Sequence, residues 1–405
     1  MLSRDPYSDY IATVIGAIVP ILTEQLVKDT VDLIAIDSQN PGPQESACAE
    51  WIEQRLRRAR VPVVRQPVSE GRTNLIAALK GAAEGPRLVL LAHMDTVPIG
   101  HGWSYPPLAG VIKGSRIIGR GAADMKSGLA VAINLMEMWS AGAAPLPCDV
   151  VLCATVDEEA PDMLGAHALV RDSLVGPGDQ VLALEPTGLR LRLAQLGLRW
   201  FTLTIRGRMA HAGRPELGVD AIHAMARVVN EIYSSTAALP YRDPVLGRPK
   251  VTCSIVAGGT APNVVSAESS ATLDFRLVPP MTAETVARLT DEITQGVLAD
   301  FPGSSYSLEP LGVTRPPVAA SEDSHLVRMI RAAFEDVTGS VLPSGGSDGH
   351  EAYTDASMVA ALTGSQSCTV FGPGSTDVAH TADESVDIGE MEIVAAVLDR
   401  MVQWW

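Results

Sequence analysis

The residues best able to do chemistry in this chain are two histidines and several acidic side chains, each following a short apolar run. His93 follows Leu88–Leu91 within LVLLAHMD, and Asp95 stands two residues further on. Glu158 and Glu159 follow VVLCATV at Val150–Val156, and Glu185 follows VLAL at Val181–Leu184. His380 ends the segment GPGSTDVAH after Cys368–Phe371, and Asp124 lies in the glycine-rich turn GRGAADMKSGLA, Gly119–Ala130. Two imidazoles and several carboxylates form the ligand set of a pair of divalent ions, zinc first, with cobalt or manganese as alternatives. A carboxylate such as Asp124 can bridge two ions roughly 3.5–4 Å apart, the spacing of two-metal hydrolases. Adjacent Glu158 and Glu159 point to opposite sides if strand geometry persists, so one can bind metal while the other stays free as a general base. Hydrolysis needs that division: metal lowers the pKa of bound water toward about 7, and a carboxylate takes its proton. Asp95 can hold the His93 imidazole from behind and fix its tautomer.

Residues this far apart in sequence share a site only if the fold brings them together. Unbroken aliphatic runs of this length read as strands buried on both faces of a parallel sheet. The exits of such strands converge on one edge, where open α/β sheets bind their ligands. Glu45–Ala59 reads as an amphipathic helix, with Cys48, Ile52, Leu56 and Ala59 on one face. Helix and strand then alternate up to about residue 195, the α/β pattern. From there the order changes: strand Leu198–Arg206, helix Val219–Tyr233, strands Val251–Ala257 and Ala271–Val278, helix Ala283–Leu298 and strand Ser305–Leu308. This β-α-β-β-α-β order is the ferredoxin-like unit. The expected fold is therefore an α/β domain with a mostly parallel sheet, residues 1–191 and 309–405, interrupted by a ferredoxin-like α+β domain at 192–308.

Composition excludes other roles. The 405 residues exceed one average domain, and 46% hydrophobic content supports a folded core. A net charge of −16, from 47 acidic and 31 basic residues, argues against nucleic-acid or anionic-membrane partners. Five scattered cysteines, odd in number and without CxxC spacing, suit reduced thiols in a cytoplasmic protein. The apolar segment Ile11–Leu22 is too short to span a bilayer, contains Pro20, and reads as a buried helix or interface segment.

Together these motifs resemble the M20 metallopeptidase family: HMD at 93–95, GRGAADMKSG around Asp124, DEE at 157–159, EPT at 185–187 and AHTADE from Ala379. That group includes acetylornithine deacetylase, succinyl-diaminopimelate desuccinylase, aminoacylase-1 and glutamate carboxypeptidase. The resemblance spans nearly the whole chain. It implies that His93 and Glu185 bind one metal, that Glu159 and His380 bind the other, and that Asp124 bridges them. It also implies Asp95 as orienter of His93 and Glu158 as base. In the inserted domain, which the resemblance makes a dimerisation domain of a homodimer, His211 of MAHAG matches a histidine that reaches the partner's site and stabilises the oxyanion. Asn263 of GGTAPNVV and Arg276 of LDFR match positions that bind the substrate carboxylate, and Gly346 lies in a loop resembling the family's glycine-rich substrate loop. The implied substrate is a small molecule bearing an amide and a carboxylate, an N-acyl amino acid or small peptide. The motifs lean toward both the deacetylase and the desuccinylase, so they do not name the acyl group.

Rival readings are few. Gly345–Gly349 fits GxSxG around Ser347, with Asp377 and His380 following in the order of a serine α/β-hydrolase. That reading leaves His93, Asp124, Glu159 and Glu185 unexplained. His350-Glu351 begins like HExxH, but Thr354 stands where the second histidine belongs. A non-catalytic binding protein on this scaffold is opposed by the presence of every expected ligand and of the base.

Overall fold

The aliphatic runs become the central strands of a six-stranded sheet. The structure, a computed structural model, describes residues 19–41, 45–343, 349–350 and 352–405. Most of the apolar segment Ile11–Leu22 lies outside these residues; its end opens helix α1 (Val19–Ala35). There follow α2 (Ser46–Arg58), β1 (Val63–Ser69), β2 (Arg72–Leu79) and β3 (Leu88–His93). After these come α3 (Ser127–Ala141), β4 (Val150–Thr155), α4 (Leu164–Arg171) and β5 (Gln180–Ala183). Every residue of β3, β4 and β5 is buried, which explains why these strands read as continuous apolar runs rather than as alternation. On α2, Cys48, Ile52 and Leu56 face inward as its spacing predicts, joined by Ala49, while Ala59 caps the helix end and is only partly buried. Helix α3 packs hard against the sheet: a Cβ at Gly128 would sit 2.1 Å from the Leu184 carbonyl oxygen, so only glycine fits there.

The chain forms two compact units, one of residues 1–194, 319–350 and 354–405, the other of 195–318 and 351–353. The second contains β6 (Gly197–Arg206), α5 (Ala221–Ala238), β7 (Lys250–Gly258), β8 (Glu268–Leu277), α6 (Ala283–Leu298) and β9 (Ser305–Arg315). These strands are antiparallel in the order β7-β8-β6-β9. Strands β6 and β8 alternate buried and partly exposed residues, so one face carries the core with Leu203, Ile205, Leu273 and Phe275. Asp220 caps α5 by accepting the N–H groups of Ile222 and His223, and Thr282 caps α6 in a reciprocal pair with Thr285. Strand β9 runs seven residues past Leu308, so this unit ends later than the sequence pattern suggests. Beyond Leu308 the strand holds Pro310 and Gly312, residues that ordinarily mark a strand's end, so its continuation was hidden.

The first unit then resumes with α7 (His325–Thr338), α8 (Asp355–Thr363), β10 (Cys368–Val370) and α9 (Ile388–Gln403). Ser324 caps α7, and Gly339 ends it in the left-handed conformation. The sheet order is β1-β2-β4-β3-β5-β10, antiparallel at β1–β2 and β2–β4 and parallel through β4, β3, β5 and β10. Parallel pairing aligns His93 with Thr155, so β3 and β4 end together and β5 ends just before Glu185. The loops carrying His93, Glu158, Glu159 and Glu185 therefore leave from one edge. Among the described residues no helix is long and apolar enough to cross a membrane.

Candidate metal centre

At that edge the sequence-selected side chains meet. His93, 1% exposed, directs Nδ1 to the main-chain carbonyl of Asp95 at 2.8 Å. A carbonyl only accepts, so Nδ1 carries the proton and Nε2 is the nitrogen left for other chemistry. Around Nε2 stand Asp124 Oδ1 at 3.1 Å, Glu185 Oε2 at 3.6 Å and Glu158 Oε2 at 3.9 Å. His380 Nε2 lies 3.0 Å from Glu159 Oε1 and 3.4 Å from Asp124 Oδ2. The two oxygens of Asp124 thus face two different imidazoles. Ligand atoms of His93, Asp124 and Glu159 all lie within 4.8 Å of one another, a span that suits metal coordination.

Electrostatics supports the same use. Four largely buried carboxylates surround two imidazoles, the His93 ring shielded from water and the His380 ring half exposed. Burial alone would depress His93, yet the Glu185, Asp124 and Glu158 carboxylates outweigh it and hold the ring well above the usual imidazole range. His380, with its side chain half exposed, is opposed only by partial loss of water, and Glu159 and Asp124 push it up to about 11. Burial also raises Asp124, and the bonds from His380 and His93 overcome it, holding this carboxyl well below its usual range. Burial lifts Glu158 well above the carboxylate range, and it lifts Glu185 to about 8 despite His93. The cluster demands positive charge. Protons on the imidazoles supply some, and divalent cations held by the same donor atoms would supply more, so the residues fit metal.

The supporting residues are mostly ones that sequence reading passes over. Asp95 orients His93 through its backbone, because its carboxylate is 3.8 Å from Nδ1. That carboxylate instead accepts the N–H groups of Glu158 at 3.3 Å and Glu159 at 3.2 Å, and the Asn40 amide at 2.8 Å. Asp157, in the left-handed region at φ 68°, accepts from Asn40 and Leu164 N and pairs with Arg72, which also pairs with the buried Glu45. Lys126, 1% exposed, gives its ammonium to the Leu33 and Ile36 carbonyls, closing the C-terminus of α1 beneath the Asp124 turn. Glu384 and Arg120 form a fully buried pair beside the same turn. The motif strings hold Asp157, Lys126 and Glu384, so their position in sequence was visible while their partners were not.

In the second unit, His211 lies in a two-residue strand paired with Val264–Val265, and Ala212 N donates to the Asn263 carbonyl at 3.0 Å. These two candidates are neighbours. Arg276 is not with them: it sits near the far end of β8, eight residues beyond Glu268, a run of roughly 26 Å at about 3.3 Å per residue. Its Nε and Nη2 meet the Asp274 carboxylate at 2.9 Å each. Gly346 and Ser347 lie outside the described residues.

An α/β sheet with imidazoles and carboxylates at its strand exits carries the donor set of a metal-dependent hydrolase. Residues 89–404 match the model of Peptidase family M20/M25/M40, and the chain belongs to that family. It is 28% identical over 345 residues to an acetylornithine deacetylase of Proteus mirabilis (strain HI4320), covering 84% of each chain. It is 26% identical over 400 residues to a "Probable succinyl-diaminopimelate desuccinylase" of Staphylococcus epidermidis (strain ATCC 12228 / FDA PCI 1200), covering 90% of this chain and 94% of the relative. Among solved structures, the YXEP protein of Bacillus subtilis, described as a dinuclear metal binding peptidase from the M20 family, superposes with a TM-score of 0.67. The identity is 15%, over 95% of this chain and 98% of that chain. The chain is a metal-dependent hydrolase of amide bonds, and the serine-hydrolase and non-catalytic readings fall away. The His380 ring nitrogen that a serine triad would need is turned to Glu159 and Asp124.

Proposed function

We propose that His93 and Glu185 hold one divalent cation and His380 and Glu159 a second, with Asp124 shared between them, zinc being the preferred ion and cobalt or manganese the alternatives. The observation that carries this reading is the pair of Asp124 oxygens facing His93 Nε2 at 3.1 Å and His380 Nε2 at 3.4 Å. When bound, such ions polarise the amide carbonyl and make water acidic enough to attack near neutral pH. Glu158 is then the general base: it stands among these side chains, yet each proposed ion has its own glutamate without it. It takes a proton from the attacking water and returns it to the leaving amine. Asp95 holds the Glu158–Glu159 turn so that one carboxylate faces the cations and the other the substrate.

The substrate is an N-acyl amino acid or small peptide with a free carboxylate. The acetylornithine deacetylase and desuccinylase relatives support that class without choosing the acyl group. Arg276, Asn263 and Gly346 are the proposed carboxylate and substrate contacts. His211 acts from the partner of a homodimer. Strand β7 supports a dimer edge: it is an outer strand with Ile255 61% and Val256 64% exposed. Five free cysteines, four of them buried, support a cytoplasmic setting.

A panel of N-acetyl and N-succinyl amino acids and dipeptides tests this directly. Chelation should abolish turnover and Zn²⁺ or Co²⁺ restore it, while Glu158→Gln should lower kcat by about 10²-fold or more with metal still bound. Undiminished turnover by Glu158→Gln would remove the base assignment.

A further inference from the structure

We propose that Glu384 is a positioning residue that sets the Asp124 carboxylate between the two imidazoles, an inference that rests on reading Asp124 as the shared ligand. The turn before α3 is irregular. Asp124 (φ −120°, ψ 95°) and Met125 (φ −133°, ψ 35°) leave helical geometry, so the local helix ladder offers the neighbouring N–H groups no regular acceptor. Glu384 Oε1 accepts both Ala123 N at 2.9 Å and Asp124 N at 3.0 Å. Its own main-chain carbonyl accepts Gly119 N at 2.9 Å, tying down the start of the same turn. Glu384 is 0% exposed, and its other oxygen meets Arg120 Nη1 at 2.5 Å.

Arg120 is itself anchored. It donates to the Ile99 carbonyl at 3.1 Å and lies 5.1 Å over the Trp103 ring. The carboxylate therefore cannot swing without breaking a buried ion pair. Glu384 also stands four residues after His380 in one loop. That loop thus presents an imidazole to Asp124 Oδ2 with its first residue and grips the Asp124 backbone with its last. The separation between His380 and Asp124 is set by a single short segment rather than by two independent elements.

The test compares full-length wild type, Glu384→Asp and Glu384→Ala after dialysis, titrated with Co²⁺ by calorimetry and followed by the cobalt d–d absorption. Circular dichroism confirms folding, and Glu384→Asp keeps the charge opposite Arg120 if the alanine variant does not fold. The aspartate is one methylene short of both N–H groups. Wild type should bind two ions; folded Glu384→Asp should bind them about 10- to 100-fold more weakly, with a changed d–d spectrum. Its kcat should fall with KM within about twofold. A folded variant with wild-type Co²⁺ affinity and spectrum would overturn the proposal, even if less heat-stable. Failure of wild type itself to bind two ions would instead overturn the shared-ligand reading of Asp124, and this inference with it.

Discussion

The Asp95 carboxylate receives the backbone N–H of Glu158 at 3.3 Å, while it is the Asp95 carbonyl that receives His93 Nδ1. One residue therefore holds the imidazole and the proposed base by different groups, and mutagenesis can separate the two.

Asp95→Ala keeps the main-chain bond to His93 but strips the acceptors from the Glu158 and Glu159 amides and from Asn40. Steady-state kinetics should show kcat lower by about 10- to 100-fold, with the tautomer of His93 unchanged by NMR. Asp95→Asn, which keeps one acceptor oxygen, should fall between. Activity of Asp95→Ala within about threefold of wild type would show that the turn holds itself.

Arg72 joins two buried carboxylates, Glu45 and Asp157, with its own side chain 11% exposed. Arg72→Met leaves both without their cation, and breaking such a pair from one side costs about 3–5 kcal/mol. Urea unfolding near neutral pH should show a loss of that order. A loss under about 1 kcal/mol would mean that Asn40 and the backbone suffice.

His325 packs edge-on against Trp405, ring centroids 4.8 Å apart, and burial, with Arg328 nearby, lowers it from the usual 6.5. Its neutral form is favoured in the fold. Above the unfolded value both states are neutral and the group contributes nothing to pH dependence. As pH falls through about 6.5, the unfolded chain gains the proton more readily, so stability is lost until the folded value is passed. Relative to His325→Phe, wild type should lose ground between about pH 8 and about pH 5. Parallel melting curves for the two proteins across that range would contradict this.

Much of the site was legible because strand exits announce themselves: an aliphatic run marks β3, β4 or β5, and the next polar residue stands at the sheet edge. His93, Glu158, Glu159 and Glu185 were found that way. The ferredoxin-like order was legible for a similar reason, since its central strands β6 and β8 alternate. Helix α8 was not read, because Asp355–Ala360 is buried all round and shows no amphipathic period. Strand β1 was hidden by Pro67 and a register shift at the sheet margin. The supporting charges escaped for a different reason. Arg72 meets Asp157 across 85 residues and Arg120 meets Glu384 across 264, separations that no local pattern encodes. The role of Asp95 turned on main-chain geometry, which side-chain identity does not carry.

The central claim is that Asp124 is shared between two cations. Anomalous diffraction from crystals soaked in Zn²⁺ tests it most directly. The account predicts two peaks roughly 3.5–4 Å apart, one beside His93 and Glu185, the other beside His380 and Glu159, each touching one Asp124 oxygen. A single peak, or two that leave Asp124 unligated, would contradict it.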